Sequence, residues 1–143
     1  MPYKFLPDIA VADVAFEATG RTLDELLEQA ALATTNVMVK ELKTVKHKVS
    51  KKITVKAESE EMLLFNFLQE IIFHKDADLL LFSAYNVGIK KTSKGFALAC
   101  TAKGEKLDMK KHELMVDVKA VTLHMFEVKK TKGGWKAHVI LDI

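Results

Sequence analysis

Residues 118–143 read VKAVTLHMFEVKKTKGGWKAHVILDI, and the fold turns on how they are read. Val118 to Lys129 and Trp135 to Ile143 are rich in β-branched and aromatic residues, and Lys130-Thr131-Lys132-Gly133-Gly134 breaks them apart as a turn would. The preceding stretch repeats the pattern, with Leu79 to Lys91 and Phe96 to Thr101 flanking Thr92-Ser93-Lys94-Gly95. Two successive hairpins predict a largely antiparallel sheet.

Working back toward the N-terminus, Val11 to Ala18 alternates, with Ala12, Val14, Phe16 and Ala18 on one face and Asp13 and Glu17 on the other. Gly20 ends this strand. Thr22-Leu23-Asp24-Glu25 has the spacing of a capping box, and a helix follows from Leu23 to about Val39 with a stripe of Leu23, Leu26, Leu27, Ala30, Ala33 and Val37. A β segment is predicted from about Val45 to Ala57. Ser59 then caps a second helix whose core, Met62 to Phe73, is apolar almost all round and wants cover on several sides. Burial within its own domain provides that cover; a partner or dimer surface is the alternative. The expectation is an α+β fold, a largely antiparallel β-sheet with two main α-helices, in one domain over residues 1–143.

Composition narrows the function. The chain has 143 residues, 49% of them hydrophobic and 29% charged, the balance of a globular protein. Cys100 is the single cysteine, so no internal disulfide forms and a reducing, cytoplasmic setting is expected. No apolar run reaches the ~18 residues of a membrane span, and the start lacks the signature of a signal peptide. Arg21 is the only arginine among 22 basic residues. Arginine is the side chain that reads bases and phosphates bidentately, so a sequence-specific nucleic-acid reader is disfavoured. The lysines at 43, 46, 48, 51, 52 and 56 read first as the wetted face of a strand, and second as a patch for RNA or an acidic partner.

Enzyme signatures are missing: no G-x-S-x-G, P-loop, GxGxxG or H-E-x-x-H is present. His47, His74, His112, His124 and His138 lack zinc-like spacing. His74 suits a helix end, His124 reads as a core histidine beside Thr122 and Phe126, and Cys100 as a buried thiol. Two aspartates are better placed. Asp13 opens an early strand and Asp142 closes the last; paired antiparallel, start meets end and the carboxylates converge. All-oxygen ligands favour a hard cation. Two solvated or capping aspartates are the alternative.

The order Gly104-Glu105, Asp108, His112, Lys119-Ala120-Val121-Thr122-Leu123-His124 and Val139-Ile140-Leu141-Asp142-Ile143 resembles the archease family's G-E, D, K-H, K-A-[VI]-T-x-H and terminal L-D-I. Ala12-Asp13-Val14, Ala18 and Gly20-x-Thr22-Leu23-x-Glu25-Leu26 extend the likeness to nearly the whole chain. The family's D-H-T-A-D is represented here by Ile9-Ala10-Val11-Ala12-Asp13, of which only the last two positions match.

The resemblance implies a non-catalytic protein cofactor of an RtcB-type RNA ligase in tRNA splicing. Such a cofactor promotes guanylylation and multiple turnover of the ligase, meeting RNA only through it. It also implies a divalent-cation site at Asp13, Asp142 and Ile143, with Ca²⁺ the first choice and Mg²⁺ or Mn²⁺ alternatives. Oligomeric state, docking surface and the effect of the altered 9–11 positions stay open. Two other classes compete: an RNA-binding or chaperone-like accessory module using Lys43 to Lys56, and a metal-dependent hydrolase with His124 or His138 as base. Three local expectations follow. Asp13 is dispensable for folding, His124 is more buried than Lys119, and an anchored Ile143 side chain leaves its main-chain oxygens beside Asp142.

Overall fold

The computed structural model describes residues 2–6 and 13–143; Met1 and positions 7–12, including the expected strand start at Val11 and the altered 9–11 positions, lie outside the described residues. The alternation at Asp13–Gly20 forms β2, whose inward residues Phe16 and Ala18 are fully buried. Ahead of it, Tyr3–Leu6 forms a short strand, β1, that periodicity did not reveal.

Thr22 caps α1, Leu23–Met38, its Oγ1 accepting the Glu25 amide at 3.1 Å. The reciprocal arm lands one residue early, since Glu25 Oε1 accepts the Arg21 amide at 3.4 Å. Gly20 is required here, because a Cβ on it would stand 2.4 Å from the Leu26 nitrogen. The expected stripe is the buried face, with Leu26, Leu27, Ala30 and Ala33 inaccessible.

The next β segment starts later than its alternation predicts. Leu42–Thr44 is a 3₁₀ turn, the Val45 amide closes it onto Leu42 O, and β3 spans Val49–Ala57. Ser59 caps α2, Glu60–Asp78, accepting the Met62 amide at 3.2 Å. Leu63, Leu64, Phe67, Leu68, Ile71 and Ile72 are buried, so the all-round apolar character is spent mostly inside the fold, with Met62 and Phe73 left exposed. Edge-on ring contacts fix the helix: Phe65 to Phe126 at 5.8 Å and Phe67 to Tyr85 at 6.2 Å.

The two hairpins form as read. β4, Leu80–Thr92, and β5, Gly95–Lys106, meet at a two-residue turn, as do β6, Ala120–Thr131, and β7, Gly134–Asp142. The strands divide into two antiparallel sheets, β1-β2-β7-β6 and β3-β5-β4. α1 packs on β2 and β7 of the first sheet and β4 of the second; α2 packs on β3 and β6. Polar side chains on the helices also satisfy outward-facing amides of two edge strands. Glu28 accepts Val87 N–H at 2.8 Å and Asp24 accepts Ile89 N–H at 3.4 Å on β4, while Gln69 accepts Val121 N–H at 2.9 Å on β6. Neither helix is long and apolar enough to cross a membrane.

Candidate functional site

β2 and β7 are adjacent and antiparallel, with Asp13 paired to Asp142, Ala15 to Ile140 and Glu17 to His138. Directly opposed residues share a face, with Cβ atoms about 5 Å apart. The core takes Phe16, Ala18, Ala137, Val139 and Leu141, so period-two alternation sends Asp13 and Asp142 together to the outer face. Asp142 is exposed, Asp13 half-buried, and neither carboxylate bonds another described residue. Ile143 follows with its side chain half-buried against the core. On the far side Asp142 pairs with Ala120, and its carbonyl accepts the Lys119 amide at 2.8 Å. Among the described residues, no third His, Cys, Asp or Glu joins the two aspartates in a metal-holding group.

His124 is not a core residue. Pairing between β6 and β7 runs to Thr122–Ile140 and resumes at Glu127–His138, so residues 123–126 bulge out, with Met125 at φ 54°. His124 and Lys119 are both exposed, correcting the expected difference between them. The His138 ring donates from Nδ1 to Met125 O at 2.9 Å. Four residues of strand, about 13 Å, separate His138 from Asp142, too far for a base acting at an ion held there.

The other motif residues build structure. Glu105 is buried and accepts from Lys46 N–H at 2.7 Å, Lys111 Nζ at 2.6 Å and His112 Nε2 at 3.0 Å. Lys111, then the Lys46 amide, outweigh burial and hold its carboxyl down at about 2. His112 Nδ1 accepts the Asp108 amide at 3.0 Å, which fixes the tautomer that donates to Glu105. Gly104 precedes Glu105 because a Cβ there would stand 1.8 Å from Leu81 O, where β4 bulges between Phe82 and Ala84. Lys75, unremarked in the sequence, is buried near the end of α2 and donates to Asp76, Asp117 and Val118 O, holding the segment that leads into Lys119. Burial alone would lower its pKa, but the two aspartates win and raise it.

His74 is buried one turn before the helix end and bonds Asp78 at 2.9 Å. Cys100 is buried, which pushes its thiol up to about 12 and leaves it unreactive. The lysine-rich segment divides among different surroundings: Lys48 reaches toward Glu105 at 3.8 Å, Lys46 serves it through its amide, and Lys52 and Lys56 lie on the outer face of the second sheet.

The archease protein family matches residues 3–143. Protein archease of Pyrococcus abyssi is 39% identical over 133 residues, 92% of this chain and 93% of that protein. The solution structure of Methanobacterium thermoautotrophicum protein 1598 superposes with a TM-score of 0.87 at 36% identity, covering 99% of both chains. The crystal structure of an archease, possible chaperone, from Thermotoga maritima shares the fold, with a TM-score of 0.62 at 19% identity over 96% of both chains.

Proposed function

The chain belongs to the archease family, and from that premise we propose that it is a non-catalytic protein cofactor of an RtcB-type RNA ligase, acting through a divalent cation held at Asp13 and Asp142. The pairing of Asp13 with Asp142 carries this reading. Like charges directly opposed across two strands are unfavourable, and a cation between them reverses the sign of the interaction.

The donor set fits such an ion. Two carboxylates and the main-chain oxygen of Ile143 are all hard oxygen ligands, which suits Ca²⁺ first and Mg²⁺ or Mn²⁺ next. Three protein donors fall short of the six to eight that Ca²⁺ takes, so coordination positions stay open to water or to an anionic group on the partner. When bound, the ion supplies positive charge and Lewis acidity at that contact. The protein's own part is positional: the β2–β7 pairing puts the two aspartates opposite each other, and the half-buried Ile143 side chain would anchor the chain end so that its main-chain oxygen can join them.

The test uses an RtcB-type ligase from the same source, GTP and a tRNA-half substrate. Catalytic amounts of this protein should raise ligase–GMP formation and turnover, and Asp142→Asn should remove the effect while leaving the fold intact. No rise with the wild-type chain, or full activation by Asp142→Asn, would overturn the reading.

A further inference from the structure

The second sheet has one face on the helices, and among the described residues nothing covers the other. Along β3, Ile53 and Val55 turn inward, so Lys52 and Lys56 turn out. The register sets Lys56, Ala97 and Lys90 in one row across the sheet, and Thr54, Ala99 and Gly88 in the next. Lys103, opposite Ser50, adds a fourth cation diagonal to Lys52. All four lysines are exposed, and none makes an ion pair with another described residue. The floor between Lys56 and Lys90 is Ala97, Ala99 and Gly88, too small to fill the space, and a trough of about 660 Å³ results, with Asp24 at its margin and Lys52 and Lys103 beyond it on the same face.

We infer that this face binds the phosphate backbone of an RNA strand without reading its sequence. The spacings suit a chain of separated anions. Lys52 and Lys56 are four residues apart, about 13 Å; Lys56 and Lys90 are two strand spacings apart, about 10 Å. Lys52 and Lys103 are diagonal neighbours at about 7–8 Å. A protein partner is the weaker occupant because docked proteins need a buried apolar or aromatic anchor; the outward-facing floor is Ala97, Ala99 and Gly88, and the larger apolar residues along it, Val55, Ile89 and Leu98, pack into the core. Phosphate contact needs only the charges. Bases gain no stacking platform, since the ring of Tyr85 and that of Phe96 pack inward with the core. Lysine ammonium groups, as point charges, hold phosphate without the paired geometry that arginine uses to read bases.

The inference does not rest on the ligase or on the cation, so its test excludes both. Fluorescence anisotropy with a labelled single-stranded RNA of about 20 nucleotides is run in EDTA, without ligase, across a salt series. Four phosphate contacts to a single strand give a slope of log K against log salt of about −2.8. Binding should therefore weaken about fifty-fold between roughly 50 and 200 mM salt. Changing Lys52, Lys56, Lys90 and Lys103 to Ala should weaken binding at least ~tenfold at low salt and flatten the slope toward zero. A control changes the exposed Lys43, Lys110, Lys130 and Lys132 to Ala; with the same loss of charge it should keep most of the slope. Circular dichroism verifies that both variants fold. Equal loss in the control would reduce the effect to net charge and overturn the inference. So would absent binding by the wild-type chain, an unchanged slope in the face variant, or tighter capture of an acidic polypeptide than of RNA through the same lysines.

Discussion

Replacing Asp142 by Asn should change thermal stability in opposite directions with and without a divalent cation. Asp142 faces Asp13 across the β2–β7 pair, with Cβ atoms about 5 Å apart, a spacing that sets the scale for the two charges. Two unit charges at that distance repel by about 0.8 kcal/mol in water, and by about 3 kcal/mol at the effective dielectric of a protein surface. Asp142 is exposed and Asp13 only half-buried, so the lower end applies and about 1 kcal/mol is expected. Unfolding entropy scales as ~2 cal/mol/K per residue, or about 0.3 kcal/mol/K for a chain this long. In EDTA, Asp142→Asn should therefore melt about 3 °C above the wild type. A ligand at a hundred times its Kd adds ~2.7 kcal/mol, which raises the wild type by about 9 °C in Ca²⁺ and the variant by little. The order of the two melting temperatures inverts. Differential scanning calorimetry in EDTA and in a Ca²⁺ series reads this directly. An equal rise of both proteins would locate the ion elsewhere, and a variant less stable in EDTA would mean that the Asp13–Asp142 pair is not repulsive.

Other outcomes follow from the surrounding structure. Glu105 has its carboxyl held at about 2 in the fold against 4.5 for the free group, so its contribution is complete above pH ~4.5 and is lost as pH falls toward 2. Glu105→Gln should cost about 3 kcal/mol at neutral pH and flatten acid unfolding in that window, as urea titrations at stepped pH would register. Gly104→Ala forces a Cβ against Leu81 O and should cost about 1–3 kcal/mol through a shifted β4 bulge, visible as a lower urea midpoint. His124→Ala, at an exposed bulge, should move stability by less than about 0.5 kcal/mol; a large drop in melting temperature would return His124 to the core.

Local chemistry was legible in the residues themselves. Thr22 and Ser59 are recognisable as caps because side-chain capping is decided within four residues, and both accept the expected amides. The approach of Asp13 to Asp142 was legible on one condition, that the first and last long strands pair antiparallel, and the β2–β7 register meets it. What alternation could not supply was non-local. Val45 and Lys48 look like strand, yet the Lys46 amide is taken by Glu105, 59 positions later. His124 alternates as a core residue until the bulge at 123–126 interrupts the pattern. Lys75 looks like a solvated helix end until Asp117 and Val118 arrive from another part of the chain. Lys90 and Lys103 join Lys52 and Lys56 only through the strand register.

The amides that Glu28, Asp24 and Gln69 take from β4 and β6 decide how this protein can meet other molecules. Every open sheet ends in two strands whose free backbone can template another chain, and proteins blunt such ends. Here each of the four is treated differently. β4 has helix carboxylates on its donors, and β6 has a glutamine and a bulge. β3 carries Lys51, Lys52 and Lys56, and β1 is only four residues long. Recognition by adding a strand, one of the commonest ways for a β-rich domain to take up a peptide, is thereby discouraged on all sides. Contact is left to the broad faces and to the corner where the first long strand begins beside the end of the last.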